Sequence, residues 1–192
     1  MKLIKYIYLI ILINLSCSGQ NQTAFKNIDK AIQNKGRALT LEFRNESDYK
    51  VFPEKIYKLK FLKKLSFIGS DCDTRNNRKC YNIESIPNGL SSLSNLEELI
   101  LVMNNIKFIT DEINMLKKLK SLDLSDNTSL NIENLLNQNL ERLNLNGCFL
   151  NKVPPNLKKM KKLKYLGLIG NNIDSLDIEI LKKELPQCKI SL

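Results

Sequence analysis

The fold is decided by residues 119–127, which read LKSLDLSDN. The same pattern returns as LEELILVMNNI, LERLNLNGCFL and LKYLGLIGNNI, so that leucines alternate within a short segment and an asparagine or cysteine follows. A less regular copy, LKKLSFIGS, comes earlier, and a truncated one, LPQCKISL, ends the chain. The further copies begin at Leu62, Leu96, Leu140, Leu163 and Leu185. Self-similarity of this kind indicates a repeat architecture.

The period fits a stack of short structural units. The starting leucines are separated by 34, 23, 21, 23 and 22 residues. Each alternating LxL segment predicts a strand, because every second side chain of a strand points to the same face. The segment between copies, such as IKFITDEINMLKKL at residues 106–119, spaces its apolar residues for a helix or 3-10 turn. One unit cannot bury its own apolar stripe, so neighbouring units must share a core.

In pattern and spacing, nearly everything after residue 36 resembles the leucine-rich repeat family. The resemblance implies an α/β solenoid, a horseshoe of about six or seven short parallel strands with helical or 3-10 return arcs. In that family the side chain at the turn after each strand binds buried loop backbone of adjacent repeats. The positions that match it are Ser70, Asn104, Asn127, Cys148 and Asn171.

The chain is expected to hold one repeat domain, residues 24–192. Phe25, Ile28, Ala31 and Ile32 recur at helical spacing and predict an N-terminal capping helix over residues 24–36. Repeats follow over 37–184, beginning with ALTLEFRN at residues 38–45, whose register stays open. Residues 185–192 are expected to form a closing strand, with Cys188 free and buried.

The N-terminus predicts export. Lysines precede a short apolar run in MKLIKYIYLIILINLSCSGQNQT, so residues 1–16 are interpreted as a signal peptide. Residues 15–17 resemble the lipobox of bacterial lipoproteins, which implies acylation of Cys17 and a tether over 17–23. The protein would then be anchored to a membrane of the bacterial cell envelope, such as the outer membrane. Cleavage by an ordinary signal peptidase, giving a secreted soluble protein, is the alternative.

The step of 34 residues contains an insertion at residues 71–82, within GSDCDTRNNRKCYN. Cys72 and Cys80 bracket it and are expected to form a disulfide in an oxidising compartment. Such a closed loop would present a contact surface made of Asp73, Arg75, Arg78 and Tyr81. The alternative is a tolerated surface insertion, since longer loops cost little free energy.

The resemblance places the residues between the strand leucines on a concave face. Those expected to meet a partner are Lys64, Ile68, Glu98, Ile100, Val102, Asp123, Arg142 and Tyr165. Ile68, Ile100 and Val102 are apolar where the core does not need them, and such clusters often mark interaction sites. The alternative is that the inserted loop covers them.

Composition narrows the function classes. The chain has no histidine, its carboxylates are dispersed, and the resemblance gives Cys148 a structural role, so no catalytic site, metal site or cofactor is predicted. The net charge of +10 comes largely from lysines near each strand, without the interleaved aromatic residues that nucleic-acid binding requires. The prediction is a binding module for a protein, peptide or glycan. The alternative is a passive envelope component whose lysines bind acidic polymers.

Overall fold

The structure is a computed structural model that describes residues 24–25, 28–33, 40–44, 53–69 and 83–192. The signal segment, the tether with Cys17, and residues 70–82 with Ser70, Cys72 and Cys80 lie outside the described residues. The described part forms one sheet of eight parallel strands, each paired with the next in the chain. They are β1 Ala24–Phe25, β2 Thr40–Arg44, β3 Lys64–Ile68, β4 Glu98–Ile100, β5 Ser121–Asp123, β6 Arg142–Asn144, β7 Tyr165–Gly167 and β8 Lys189–Ser191.

The strand leucines fix the register. One row of paired positions contains Leu41, Leu65, Leu99, Leu122, Leu143 and Leu166, all of them almost fully buried. The register that the sequence left open is also set, because Leu41 pairs with Leu65 and Phe43 with Phe67. The two phenylalanine rings stack with centroids 4.4 Å apart. Stacking of identical rows therefore buries a continuous core behind the sheet.

Short helices return the chain from one strand to the next. The α-helices are α1 Ile28–Gln33, α2 Asp111–Met115 and α3 Ser175–Glu184, and the 3-10 segments are Glu54–Lys58, Leu90–Ser92 and Pro155–Lys159. Each 3-10 segment buries an apolar side chain against the core, such as Ile56, Leu90 and Leu157. The return arcs thus have the helical and 3-10 character expected from the repeat.

Both ends of the repeat region differ from the prediction. A capping helix over 24–36 is wrong at its start, because Ala24–Phe25 pair with β2 as an additional strand and the described helix covers only Ile28–Gln33. The edge of β2 offers unpaired backbone groups, and a short extended segment satisfies them. The additional strand β1 brings the described sheet to eight strands, where about six or seven were expected.

The C-terminal segment is also shorter as a strand than predicted. Leu185 is buried at the end of α3, and the strand covers only Lys189–Ser191. Cys188 is half-buried and not buried as expected, because it lies next to β8, the edge strand of the sheet that the described residues form. Asp174 begins α3 by accepting a hydrogen bond from the Leu176 amide at 2.7 Å.

Candidate interaction surface

An asparagine ladder joins the turns that follow the strands. Asn127 is fully buried; its Oδ1 accepts the Ile106 amide at 3.1 Å, and its Nδ2 donates to the carbonyls of Leu101 and Leu124 at 2.9 and 2.8 Å. The equivalent bonds join Asn104 to Ile83, Phe67 and Val102, and Asn171 to Leu150, Leu145 and Leu168. These bonds pair backbone groups that no strand satisfies, so they hold adjacent repeats in one rigid arrangement.

Cys148 occupies the same position in its repeat. Its Sγ lies 3.3 Å from the Leu124 carbonyl, to which the thiol donates. Burial raises the pKa of this thiol to about 12, and the carboxylates of Asp126 and Asp123 add to the effect, while the amides of Asn127 and Asp126 oppose it. A neutral, buried thiol is a poor nucleophile.

A second set of buried asparagines lies in the return arcs and was not predicted from the sequence. Asn137 Nδ2 donates to the carbonyls of Ile113 and Leu116 at 2.7 and 3.0 Å. Asn156 donates to Ile132 and Leu135 at 2.8 and 2.7 Å. Asn156 offered a signal, because it precedes the buried Leu157 and an unpaired amide there would be costly, whereas Asn137 follows the exposed Leu136 and offered none.

The centre of the concave face is a network of polar side chains. Asp123 Oδ1 accepts the amide and the hydroxyl of Ser125 at 3.0 and 2.6 Å, and Oδ2 accepts Asn144 Nδ2 at 3.0 Å. Asn146 Oδ1 in turn accepts the Ile169 amide at 2.9 Å. A Cβ at Gly167 would lie 2.5 and 2.8 Å from the side-chain oxygens of Asn144 and Asn146, so glycine leaves the room that these amides need. The Asp123 carboxylate is therefore already hydrogen-bonded to neighbouring residues of this face.

Charged and aromatic residues pair across neighbouring strands on the same face, along the row formed by the first residue of each strand from β3 to β7. Lys64 Nζ lies 3.1 Å from Glu98 Oε2 on the adjacent strand. The Arg142 guanidinium lies over the Tyr165 ring, 4.6 Å from its centroid. The row continues through Ser121 between these two pairs. Both pairs follow from the register, which sets the residues side by side.

The apolar cluster predicted on this face consists of Ile68, Ile100 and Val102. All three side chains are partly exposed, and they lie on or just after the neighbouring strands β3 and β4. The Gly69 amide donates to the Val102 carbonyl at 2.9 Å, so the two segments stay paired beyond the strands. Asp73, Arg75, Arg78 and Tyr81, which were expected beside this cluster, lie outside the described residues.

Lysines and glutamates alternate at the start of the strands. Lys63 lies 3.1 Å from Glu97, and Glu141 lies 2.6 Å from Lys164 and 3.9 Å from Lys120. The hydrogen bond and charge of Lys164 hold the pKa of Glu141 below its usual value. Several lysines that give the chain its basic character therefore lie in exposed ion pairs with a glutamate of the adjacent repeat.

Metal binding and membrane spanning find no support in the described part of the chain. Within the described residues, no three histidine, cysteine, aspartate or glutamate side chains are grouped as metal ligands. Every described helix is too short or too polar to cross a bilayer.

The stacked parallel strands, the shared leucine rows and the asparagine ladder make this chain a leucine-rich repeat protein. Comparison with known proteins agrees. A 90-residue segment, 44% of this chain, is 36% identical to Receptor like protein 23 of Arabidopsis thaliana and covers 10% of it. A leucine-rich repeat protein of Leptospira interrogans matches 82% of this chain with a TM-score of 0.59 and 26% identity, over 44% of its own length.

The leucine-rich repeat ectodomain of the plant receptor kinase GASSHO1/SCHENGEN3 from Arabidopsis thaliana, solved with CASPARIAN STRIP INTEGRITY FACTOR 2, has the same fold. It matches 82% of this chain and 19% of its own, with a TM-score of 0.53 and 24% identity. No family model matches the chain. This chain thus spans less than half the length of each of these proteins.

Proposed function

We propose that this protein is a non-catalytic binding module that holds a protein or peptide on its concave face. The observation that supports this most directly is the cluster of Ile68, Ile100 and Val102, which stays partly exposed on a face whose other side already supplies the core. Partly exposed aliphatic side chains on a rigid sheet gain free energy when a partner covers them. The bonded centre around Asp123 and Asn144 is rigid before binding, which lowers the entropy cost of association.

The chemistry of the surface favours binding over catalysis. Cys148, the one buried thiol of the described residues, has its pKa raised to about 12 and its Sγ directed at a backbone carbonyl. Asp123 is held by Ser125 and Asn144. A catalytic nucleophile needs a pKa near the working pH and free access to substrate, and the buried Cys148 thiol has neither.

The proposal includes a membrane tether and a closed loop. Acylation of Cys17 would anchor an exported protein to the cell envelope, and a Cys72–Cys80 disulfide would close a loop next to the apolar cluster. Two or more acyl chains hold a protein on a bilayer without help from the protein surface. The variant Cys17→Ala should move the protein from the membrane to the soluble fraction, and unchanged partition would refute the anchor. The alternative to the lipid anchor is that the exported protein is secreted in soluble form.

The binding face can be tested by capture of envelope proteins on the purified protein. A concave-face variant, Ile100→Asp with Val102→Lys, should lose a partner that the wild type retains. A second variant with residues 71–81 replaced by Gly-Ser tests the loop. Lys159→Asp, an exposed change on a return arc, is the matched control and should retain the partner. Retention by all of the variants would refute the concave-face proposal.

Binding of acidic polymers through surface lysines is the second candidate and has less support. Lys63, Lys120 and Lys164 lie within 4 Å of a glutamate oxygen. Lysines of the return arcs, such as the exposed Lys159 and the partly exposed Lys158, form part of the remaining basic surface. Binding that disappears at modest salt and is lost from Lys159→Asp would favour this candidate.

A further inference from the structure

Arg142 lies exposed on the concave face without a carboxylate partner among the described residues. Its guanidinium lies over Tyr165, and Ser121 occupies the paired position on the other side. The carboxylates of the neighbouring strands are already engaged: Glu98 with Lys64, Asp123 with Ser125 and Asn144, and Glu141 with Lys164 and Lys120. The five donors of Arg142 are therefore available in a fixed orientation.

Lys189 extends the same row by one strand. It pairs in register with Tyr165, is exposed, and has no ion-pair partner within the described residues. Strands of a sheet are spaced about 4.8 Å apart, so the backbones that carry Arg142 and Lys189 are separated by about 10 Å. Arg142, Tyr165 and Lys189 together form a row of two cations and one aromatic ring, named here the cationic row.

We propose that the cationic row binds an acidic polypeptide segment that crosses strands β6, β7 and β8, a proposal that rests on the binding function above. Arginine stacked on an aromatic ring presents a fork that matches a carboxylate with two hydrogen bonds. A polyproline-II segment advances about 3.1 Å per residue with three residues per turn, so acidic side chains three residues apart recur on one side at about 9 Å. That spacing is close to the separation of the backbones that carry Arg142 and Lys189.

Apolar groups on the same face favour a polypeptide over an acidic polysaccharide. Ile169, which follows β7, is 48% exposed, and Ile100 and Val102 are partly exposed toward the other end of the sheet. A polypeptide can supply both carboxylates and aliphatic side chains, whereas a polymer of uronic acids would leave these groups uncovered.

The test is a fluorescence anisotropy titration of the purified protein with a labelled peptide, EPLEPLEPL, beside the neutral peptide QPLQPLQPL. The acidic peptide should bind more tightly, and added salt should weaken it. Arg142→Gln should weaken binding about tenfold, because a charge-assisted hydrogen-bond pair is lost. Lys189→Gln should weaken it less, and Lys152→Gln, an exposed lysine outside the row, should have no effect.

The outcomes distinguish the cationic-row proposal from the more general proposal of a binding module. Equal affinity for the two peptides, or for wild type and Arg142→Gln, would overturn the cationic row. Competition by polygalacturonate at equal carboxylate concentration would identify a polyanion surface and overturn the polypeptide assignment. A captured partner that is lost with Ile100→Asp/Val102→Lys but retained by Arg142→Gln would leave the binding function standing without this site. Circular dichroism of Arg142→Gln should match the wild type, because this exposed side chain has no role in the core.

Discussion

Asn127→Ala tests how much the asparagine ladder contributes to stability. The change removes the acceptor of the Ile106 amide and the donor to the Leu101 carbonyl at a fully buried position, while the Leu124 carbonyl keeps the Cys148 thiol as a donor. Each unsatisfied buried group costs about 1–3 kcal/mol, so with partial relaxation we expect the loss of these two bonds to cost about 2–4 kcal/mol. Urea unfolding followed by circular dichroism measures it directly. Asn172→Ala, an exposed neighbour of the ladder, should change stability by less than about 0.5 kcal/mol.

A reciprocal exchange separates the acceptor role of the side chain from its donor role. Cys148 donates to the Leu124 carbonyl, but its thiol is a weak acceptor for a backbone amide. Asn127→Cys should therefore lose about 2 kcal/mol, whereas Cys148→Asn should be neutral or gain about 1 kcal/mol. If Asn127→Ala unfolds within about 1 kcal/mol of the wild type, the ladder does not stabilise the stack and the reasoning is wrong.

Three further changes test the core, the charges and the thiols. Leu122→Asp places a charge at a position only 1% exposed and should abolish cooperative unfolding; Ser121→Asp on the concave face is the control and should unfold like the wild type. Burial raises the pKa of Asp126, so its ionisation costs stability as pH rises through the folded-state pKa. Asp126→Asn should therefore have a higher free energy of unfolding than the wild type at neutral pH, and this difference should vanish below the ordinary carboxyl pKa. A difference of the same size at neutral pH and at that low pH would contradict the argument. In native protein a maleimide should label half-buried Cys188 and spare Cys148, whose thiol pKa is about 12, as read by peptide mass spectrometry; labelling of both at the same rate would contradict the burial argument.

The repeat region could be predicted because one periodic pattern determines several levels of structure. Leucines at 122, 124, 143 and 145 specify the strands, the buried face and the register at once, since a slip of one residue would turn every leucine to solvent. The turn position of Asn127 follows from the same period. The period of the sequence therefore already specifies most of the arrangement that the stacked repeats adopt.

The ends and the polar details could not be predicted because they depend on neighbours that the pattern does not specify. Phe25 fits the helical spacing, but Ala24–Phe25 pair with β2 as a strand. The otherwise unpaired edge of β2 favours the extended conformation over the helix. Cys188 occupies a core position of its repeat, yet it is half-buried at β8, which is the edge strand of the described sheet. The hydrogen bonds of Asn137 and Asn156 depend on the path of the return arcs, which period alone leaves open.

The concave face shows why a list of surface residues is a weak guide to a binding site. Asp123 and Arg142 were equal candidates by position, but the register places Asp123 beside Asn144 and leaves Arg142 beside Tyr165. A charge already satisfied by its neighbours gains little from a partner, whereas an oriented and unpaired guanidinium gains the most. The same argument adds Lys189, which the sequence reading passed over, because its place beside Tyr165 became known only once β8 was paired. In a repeat protein the leucines set the register, the register sets the cross-strand pairs, and the charges left without a cross-strand partner are the first candidates to test for contact with a ligand.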